Sequence, residues 1–130
     1  MKDIIKGLFG NRSEPRNESK INWVNLDSSD NFLGIIDQSE LNTIILFKHS
    51  PRCGISSSVL RKFEKQLNNL EKDHMTCYIL NVIQNRNVSN EISRYFSIQH
   101  ESPQLLVLKQ RKVLAYGSHY EILSMDLSVL

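Results

Sequence analysis

The most informative segment of the chain is residues 43–60, which read Thr43-Ile44-Ile45-Leu46-Phe47-Lys48-His49-Ser50-Pro51-Arg52-Cys53-Gly54-Ile55-Ser56-Ser57-Ser58-Val59-Leu60. The first residues are apolar or β-branched, which is typical of a strand buried on both faces of a sheet. After a polar turn, apolar residues recur at three- and four-residue spacing and predict an amphipathic helix. The segment therefore predicts a central strand followed by a helix, with Cys53 where the helix begins.

The size and composition of the chain indicate one globular domain. Its 130 residues can bury a single core, and 40% apolar with 23% charged residues is ordinary globular usage. A net charge of +2 is too small to indicate a nucleic-acid partner. No segment approaches the roughly 18 apolar residues of a membrane span, and the first residues lack a signal-peptide pattern. We expect a cytoplasmic protein with no nucleic-acid partner and no membrane span.

The N-terminal residues differ in character from the rest of the chain. Residues 1–20 combine a weak amphipathic pattern with a polar run, so we expect a flexible N-terminal tail. The alternative is that Ile4, Leu8 and Phe9 contact a membrane or a partner. We expect residues 21–130 to form the folded domain.

Patterns elsewhere complete an element order of β-α-β-α-β-α-β-β-α. Alternation predicts strands at 21–25 and 75–83, and helical periodicity predicts helices that begin after Ser28 or Ser29, after Cys53 and after Asn87 or Ser89. These helices should end near Gln38, Lys72 and Ser97. Strands joined through helices are expected to run parallel, with right-handed crossovers.

The last part of the chain predicts a different connection. The strands at 104–108 and 112–116 are too close for a parallel crossover, so they should form an antiparallel hairpin that Gly117 ends. Ser118-x-x-Glu121 is a capping-box pattern ahead of a final amphipathic helix. The fold class is therefore α/β, with a mixed, mostly parallel central sheet, a closing antiparallel hairpin and helices on both faces.

Cys53 is the candidate nucleophile. Unpaired N–H groups and the dipole at a helix N-terminus favour a thiolate, and Arg52, His49 and Lys48 add positive charge nearby. Ser56 occupies the position where a C-x-x-C enzyme has its second cysteine. A hydroxyl there can hydrogen-bond the thiolate but cannot attack a mixed disulfide, which predicts chemistry with one thiol. Taken alone, the pattern more often marks an unreactive cysteine at a helix start, and the strand before it, the helix after it and the basic neighbours favour a reactive one.

The second cysteine, Cys77, falls within the strand predicted at 75–83. We interpret it as a small core residue, with a resolving thiol as the alternative. His49, Cys53, His74 and Cys77 have ligand-like spacings, but they belong to different elements, so we predict no metal site.

Ser102-Pro103 stands immediately before a predicted strand. A proline there is either an ordinary trans residue of an edge strand or part of a cis peptide bond, and without the rest of the pattern the trans form is favoured.

Two motifs resemble a known family. They are Lys48-His49-Ser50-x-x-Cys53-x-Ile55-Ser56 and, far downstream, His100-Glu101-Ser102-Pro103-Gln104. Together they are similar to the YtxJ family, the monothiol bacilliredoxins of the bacillithiol system, within the thioredoxin-like superfamily. The similarity extends from about Ile21 to the C-terminus. Gly54 departs from the pattern, because better-known members carry proline there.

The resemblance implies a fold, an activity and a site. The fold would be thioredoxin-like, and Cys53 would remove bacillithiol or a similar low-molecular-weight thiol, such as glutathione, from S-thiolated client proteins. Pro103 would be a cis-proline, with Ser102 and Gln104 beside the substrate backbone. The small thiol would be a co-substrate, with no bound cofactor.

Two other functions remain open at this stage. One is a binding protein that holds a thiol cofactor or an iron–sulfur cluster between two subunits through Cys53. The other is an interaction domain in which Cys53 is inert. The sequence leaves the identity of the small thiol, the clients and the oligomeric state open.

Overall fold

The computed structural model describes residues 21–70 and 73–129. Its strands are β1 Trp23–Asn25, β2 Thr43–His49, β3 Met75–Asn81, β4 Gln104–Lys109 and β5 Lys112–Ser118. Its helices are α1 Ser29–Gln38, α2 Gly54–Asn68 and α3 Arg86–Phe96, followed by two 3₁₀ helices, His119–Ser124 and Leu127–Val129.

The described strands form one mixed sheet in the order β1-β3-β2-β4-β5. β1, β3 and β2 are parallel to one another, whereas β4 is antiparallel to both β2 and β5. β2 is central, and its residues from Ile44 to Lys48 are all buried. The predicted α/β class, central strand and closing hairpin are confirmed.

Each face of the sheet is covered by its own apolar layer. On one face, hereafter the α3 face, α1 and α3 pack Phe32 and Ile92 against Ile44 and Leu46 of β2. On the other, hereafter the α2 face, residues of α2 and the first 3₁₀ helix pack against Ile45 and Phe47, among them Val59, Phe63, Leu67 and Ile122. Because side chains alternate along a strand, successive residues of β2 enter opposite layers.

Polar side chains shift two of the predicted boundaries. β3 ends at Asn81 rather than Ile83, because the Asn81 side-chain oxygen accepts the backbone N–H groups of Ile83 and Gln84. α3 then begins at Arg86 with Asn85 as its N-cap. The predicted caps for this helix, Asn87 and Ser89, are wrong, since both lie inside it.

Other boundaries agree more closely. Ser28 is the N-cap of α1, and its hydroxyl accepts the N–H of Asn31 at 3.1 Å, as predicted. α2 ends at Asn68, short of the predicted Lys72. α3 ends where Ser97 adopts a left-handed conformation, with φ of 56°.

The chain after β5 differs most from the prediction. The strand continues through Gly117 to Ser118, and the capping box of Ser118 and Glu121 is present. It begins a 3₁₀ helix rather than an α-helix, because the backbone at Met125 is extended, with ψ of 129°, and interrupts the helical turns. The predicted final amphipathic α-helix is therefore wrong.

Two further observations concern the chain as a whole. The tail predicted at residues 1–20 lies outside the described residues, so the boundary at residue 21 stays a prediction. Among the described residues, no helix combines the length and the apolar character that crossing a membrane requires.

Candidate functional site

One edge of the sheet collects the predicted site residues. β2 and β3 end there, β4 begins there, and α2 and α3 start from it. Cys53 lies at this edge as the N-cap of α2, with extended backbone angles of φ −102° and ψ 120°. Its N–H donates to the Ser50 carbonyl at 3.0 Å, which closes the turn after β2, and its own carbonyl accepts the Ser57 N–H at 3.1 Å. The turn therefore fixes the backbone on both sides of the half-buried thiol.

The start of α2 suits a negatively charged sulfur. The first N–H groups of a helix have no partners within the helix and concentrate positive potential at its N-terminus. The first turn of α2, which is described in full, contains no acidic residue. A thiolate at the N-cap therefore meets favourable backbone electrostatics and no nearby carboxylate on that turn.

Three polar groups meet at the start of α2, on the α2 face of the sheet. The Ser56 hydroxyl, fully buried, is 2.7 Å from His49 Nδ1 and accepts the Ser50 N–H at 3.0 Å. Ser56 is the third residue of α2, and an N-cap side chain normally faces the backbone at that position. We call Cys53, His49, Ser56 and Ser50 the thiol-side cluster.

The charge of His49 depends on its burial. Burial lowers the pKa of the imidazole below its ordinary value, and the carboxylate of Glu64 on α2 opposes that shift. Glu64 also accepts a hydrogen bond from Trp23 Nε1 at 2.7 Å. His49 is therefore neutral at pH 7, so it offers the thiol a hydrogen-bonding ring rather than a full positive charge.

Lys48 points to the opposite face of the sheet. Its Nζ donates to the Ser89 carbonyl of α3 at 3.1 Å, and the side chain is fully buried. Burial, and then repulsion from Arg86, lowers the pKa of this amine to about 8. The Ser89 hydroxyl lies 2.8 Å from His100 Nδ1. We call Lys48, Ser89 and His100 the lysine-side cluster.

His100 shares the electrostatics of that cluster. Its pKa is lowered first by burial and then by the charges of Lys48 and Arg86, while Glu101 acts in the opposite direction. Two cationic groups and a partly buried imidazole thus meet at the start of α3, on the other side of the sheet from α2.

The predicted thiolate-tuning residues therefore lie on different sides of the sheet. His49 and Ser56 meet each other beneath the start of α2, and Arg52 is exposed in the preceding turn. Lys48 is directed to α3 instead. The tuning roles of all four residues stay predictions.

The predicted docking residues lie next to β2. The Ser102-Pro103 peptide bond is cis. Gln104 is the register partner of Lys48 in β2, which brings Pro103 beside the end of that strand. The Ser102 Oγ and Gln104 Oε1 atoms are buried and have no hydrogen-bond partner among the described residues. The docking roles of Ser102, Pro103 and Gln104 stay predictions.

Cys77 lies far below the thiol-side cluster. It is buried in β3 in register with Ile45, four residues of β2 before His49, or about 13 Å along the strand. A disulfide requires Cα atoms within about 7 Å of each other. Both cysteines lie in the described part of the chain, and neither is in a disulfide. The interpretation of Cys77 as a core residue agrees with this position.

The residues with metal-like spacing are separated in the same way. His74 precedes β3, and its carbonyl accepts the N–H of Thr43, the first residue of β2. It therefore lies at the edge of the sheet opposite to Cys53. Within residues 21–70 and 73–129, no group of three or more His, Cys, Asp or Glu side chains could hold a metal ion.

Comparison with known proteins identifies the family. The model of the monothiol bacilliredoxin BrxC family matches residues 24–127. The chain belongs to this family. The match includes Cys53, Ser56 and the segment from His100 to Gln104, and it assigns the protein to thiol redox chemistry.

Solved structures show the same fold. A protein with a thioredoxin fold is 29% identical, with a TM-score of 0.66, and the match covers 76% of this chain and 84% of that one. The thioredoxin of Trypanosoma brucei brucei is 17% identical, with a TM-score of 0.62 and coverage of 86% and 90%. The thioredoxin of Malassezia sympodialis is 13% identical, with a TM-score of 0.65 and coverage of 82% and 87%. The bacilliredoxin therefore has the predicted thioredoxin-like fold.

Sequence reasoning missed several contributors to the site. Ser89 was interpreted as a helix cap, although its carbonyl and hydroxyl contact Lys48 and His100. Glu64 lies close enough to influence His49, and no feature of the sequence indicates this. The alternation of β2 was an available signal that Lys48 and His49 face opposite layers, but their partners on other elements have no signature in the sequence.

Proposed function

We propose that this bacilliredoxin is a cytoplasmic, monothiol thiol–disulfide oxidoreductase. It removes bacillithiol, or a similar low-molecular-weight thiol, from S-thiolated client proteins through Cys53. The observation that carries the proposal is the start of α2, where a half-buried thiol at the N-cap has a serine rather than a cysteine three residues on. Cys77 is buried well down the neighbouring strand, which supports a cycle without an internal resolving thiol.

The proposed cycle has two exchange steps. In the first, the Cys53 thiolate attacks the small-thiol sulfur of a client mixed disulfide, and the client sulfur leaves as a thiolate that takes a proton from water. In the second, the thiolate of another small-thiol molecule attacks that sulfur in the Cys53 adduct. The products are a low-molecular-weight disulfide and the Cys53 thiolate, so no net oxidant is needed.

The corner at Pro103 is the proposed docking surface for the client. Ser102 Oγ is a buried polar atom without a partner among the described residues, and its hydroxyl can both donate and accept. Buried polar groups are normally hydrogen-bonded, so we expect an approaching substrate backbone to satisfy it. The Gln104 side chain lies on the same face of the sheet as its register partner Lys48, so we expect Gln104 to flank the substrate with its backbone. The small thiol is a co-substrate in this scheme, and no resident cofactor is required.

The first test is a de-thiolation assay with a model client carrying bacillithiol or glutathione on one cysteine. We expect Cys53→Ala to reduce the rate to that of the small thiol alone, whereas the matched variant Cys77→Ala retains most of the activity. Mass spectrometry should find one small-thiol adduct, on Cys53. Equal loss in both variants, or a Cys53–Cys77 disulfide in the oxidised protein, would contradict the monothiol cycle.

A further inference from the structure

The Ser56 hydroxyl has a fixed set of hydrogen-bonding options. A hydroxyl has one proton to donate and two lone pairs with which to accept. The Ser50 N–H occupies one lone pair, at 3.0 Å. The remaining lone pair and the proton are available to His49 Nδ1, at 2.7 Å, and to a thiolate of Cys53, three residues earlier on the same helical turn.

The tautomer of His49 decides how those options are used. When His49 Nδ1 is bare, the Ser56 hydroxyl donates its proton to the ring, because the two atoms are 2.7 Å apart. When Nδ1 bears the proton, the ring donates to Ser56 Oγ, whose lone pairs are then both occupied. The hydroxyl proton is left free to point elsewhere.

The first turn of α2 makes Cys53 the candidate acceptor for that proton. Cys53 is the N-cap and Ser56 is the third residue of this helix, and the Cys53 side chain makes no capping hydrogen bond of its own. Ser56 is fully buried, so water does not compete for its hydroxyl. A thiolate at Cys53 is an acceptor, and hydrogen bonds to ionised groups are stronger than neutral ones.

We propose that His49 is a positioning residue that acts on the Cys53 thiolate through Ser56. The His49 Nδ1–H donates to Ser56 Oγ, and the Ser56 O–H donates to the thiolate. Once the sulfur is in a mixed disulfide, it carries no charge, and the hydroxyl turns back to His49 as the ring changes tautomer. The inference deepens the proposed function and rests on Cys53 being its nucleophile.

The surroundings of His49 suit this role. Its ring lies between β2 and α2, tilted against Phe47 with the ring centroids 6.3 Å apart. Glu64 of α2 is the charged group identified as acting on it, and its carboxylate is held by Trp23 Nε1. Asn81, its register partner in β3, is uncharged. His49 is therefore a neutral ring, and the nitrogen that bears its proton decides whether it donates to Ser56 or accepts from it.

The test measures thiolate formation directly, by absorbance near 240 nm during a pH titration in a Cys77→Ala background. We expect Ser56→Ala to raise the midpoint by about one pH unit, a tenfold change in the thiolate-to-thiol ratio, because the donor is lost. Ser57→Ala, on the same turn, is the matched control and should leave the midpoint unchanged. His49→Leu should raise it by a similar amount.

The combination of variants separates indirect from direct action of His49. If His49 acts through Ser56, adding His49→Leu to Ser56→Ala produces no further shift. If His49→Leu shifts the midpoint equally with Ser56 present and with Ser56→Ala, the proposal is overturned, because the ring would then act on the thiolate without Ser56. No shift for either single variant would also overturn it.

A conservative variant distinguishes loss of the hydrogen-bond donor from unfolding of the protein. Asparagine can present an amide N–H where His49 has Nδ1, so His49→Asn should retain most of the wild-type midpoint. A His49→Asn titration identical to that of His49→Leu would contradict the donor role. The titration uses no client or small thiol, so a failure of the de-thiolation assay with intact coupling would reject the proposed substrate and leave the His49 inference standing.

Discussion

Lys48 and His49 are consecutive residues of β2, yet they belong to two polar clusters with different properties. The thiol-side cluster places a half-buried cysteine at a helix start, beside a neutral imidazole and a buried hydroxyl. The lysine-side cluster holds a fully buried amine against the backbone of α3. Positive residues near a cysteine in the sequence therefore need not act on it, because successive side chains of a strand point to opposite faces of the sheet.

The largest expected effect is on the free energy of unfolding, because burying the charged amine of Lys48 costs stability. The pKa of Lys48 is about 8 in the folded chain and 10.5 when unperturbed, so the unfolded state binds more protons between those values. Stability should therefore rise as pH increases from 8 to 10.5, by up to about 3 kcal/mol, and the penalty is present in full below pH 8. Chemical denaturation of wild type and Lys48→Met across this range measures the difference.

The Lys48→Met variant is the control for the wild-type protein. Methionine has no charge to bury, so its stability should lack this rise and exceed that of wild type at pH 7. The other titratable groups are common to both proteins. A parallel pH dependence of stability in the two proteins would show that the Lys48 amine is not responsible. A lower rate of Cys53 alkylation in Lys48→Met would show that the charge of Lys48 acts on Cys53 across the sheet.

A smaller effect is expected at the start of α2. A Cβ built on Gly54 meets nothing within 4 Å, and Cys53 already has the extended backbone that a residue before proline prefers. Proline is favoured at the first position of a helix. We expect Gly54→Pro to stabilise the protein by about 0.5–1 kcal/mol, measured by denaturant unfolding, chiefly by restricting the unfolded chain.

Gly54→Ala is the control for this substitution, because it adds a side chain without fixing the backbone. If Gly54→Pro is less stable than both Gly54→Ala and wild type, the Gly54 N–H is needed by the thiol-side cluster. That outcome would distinguish the start of α2 from the start of α3, where the first residue, Arg86, has a long side chain.

The smallest expected effect concerns Arg52. Its side chain is exposed in the turn before Cys53, where water screens its charge strongly. We expect Arg52→Gln to lower the thiolate-to-thiol ratio of Cys53 by about twofold at low salt, and to have no effect near 1 M salt. Alkylation rates at several salt concentrations measure this, with Lys62→Gln on the exposed side of α2 as control. A larger, salt-independent loss would mean a direct contact between Arg52 and the sulfur.

Most of the fold was predictable because its signals are local. The uninterrupted apolar run of β2, the spacing of apolar residues in α2 and the short connection between β4 and β5 each depend on near neighbours in the chain. The final segment was mispredicted for a related reason. Its apolar spacing and capping box are compatible with an α-helix, but the extended backbone at Met125 divides it into two short 3₁₀ helices.

The candidate site was predictable in part. Cys53 at a helix start and the serine at position 56 follow from the pattern, and the predicted cis bond before Pro103 is present. Lys48 and His49, both predicted to act on Cys53, have hydrogen-bond partners on different helices.

The amino-acid sequence alone was enough to predict the order of strands and helices up to β5, the position of Cys53 at the start of α2 and the serine in place of a second cysteine at position 56. These features depend on local propensity and spacing, which act over a few residues. The three-dimensional packing was needed to show that His49 meets Ser56, that Lys48 meets Ser89 and that Cys77 lies far along the sheet from Cys53. Those contacts join separate elements, and the packing of two helical layers on a sheet selects them.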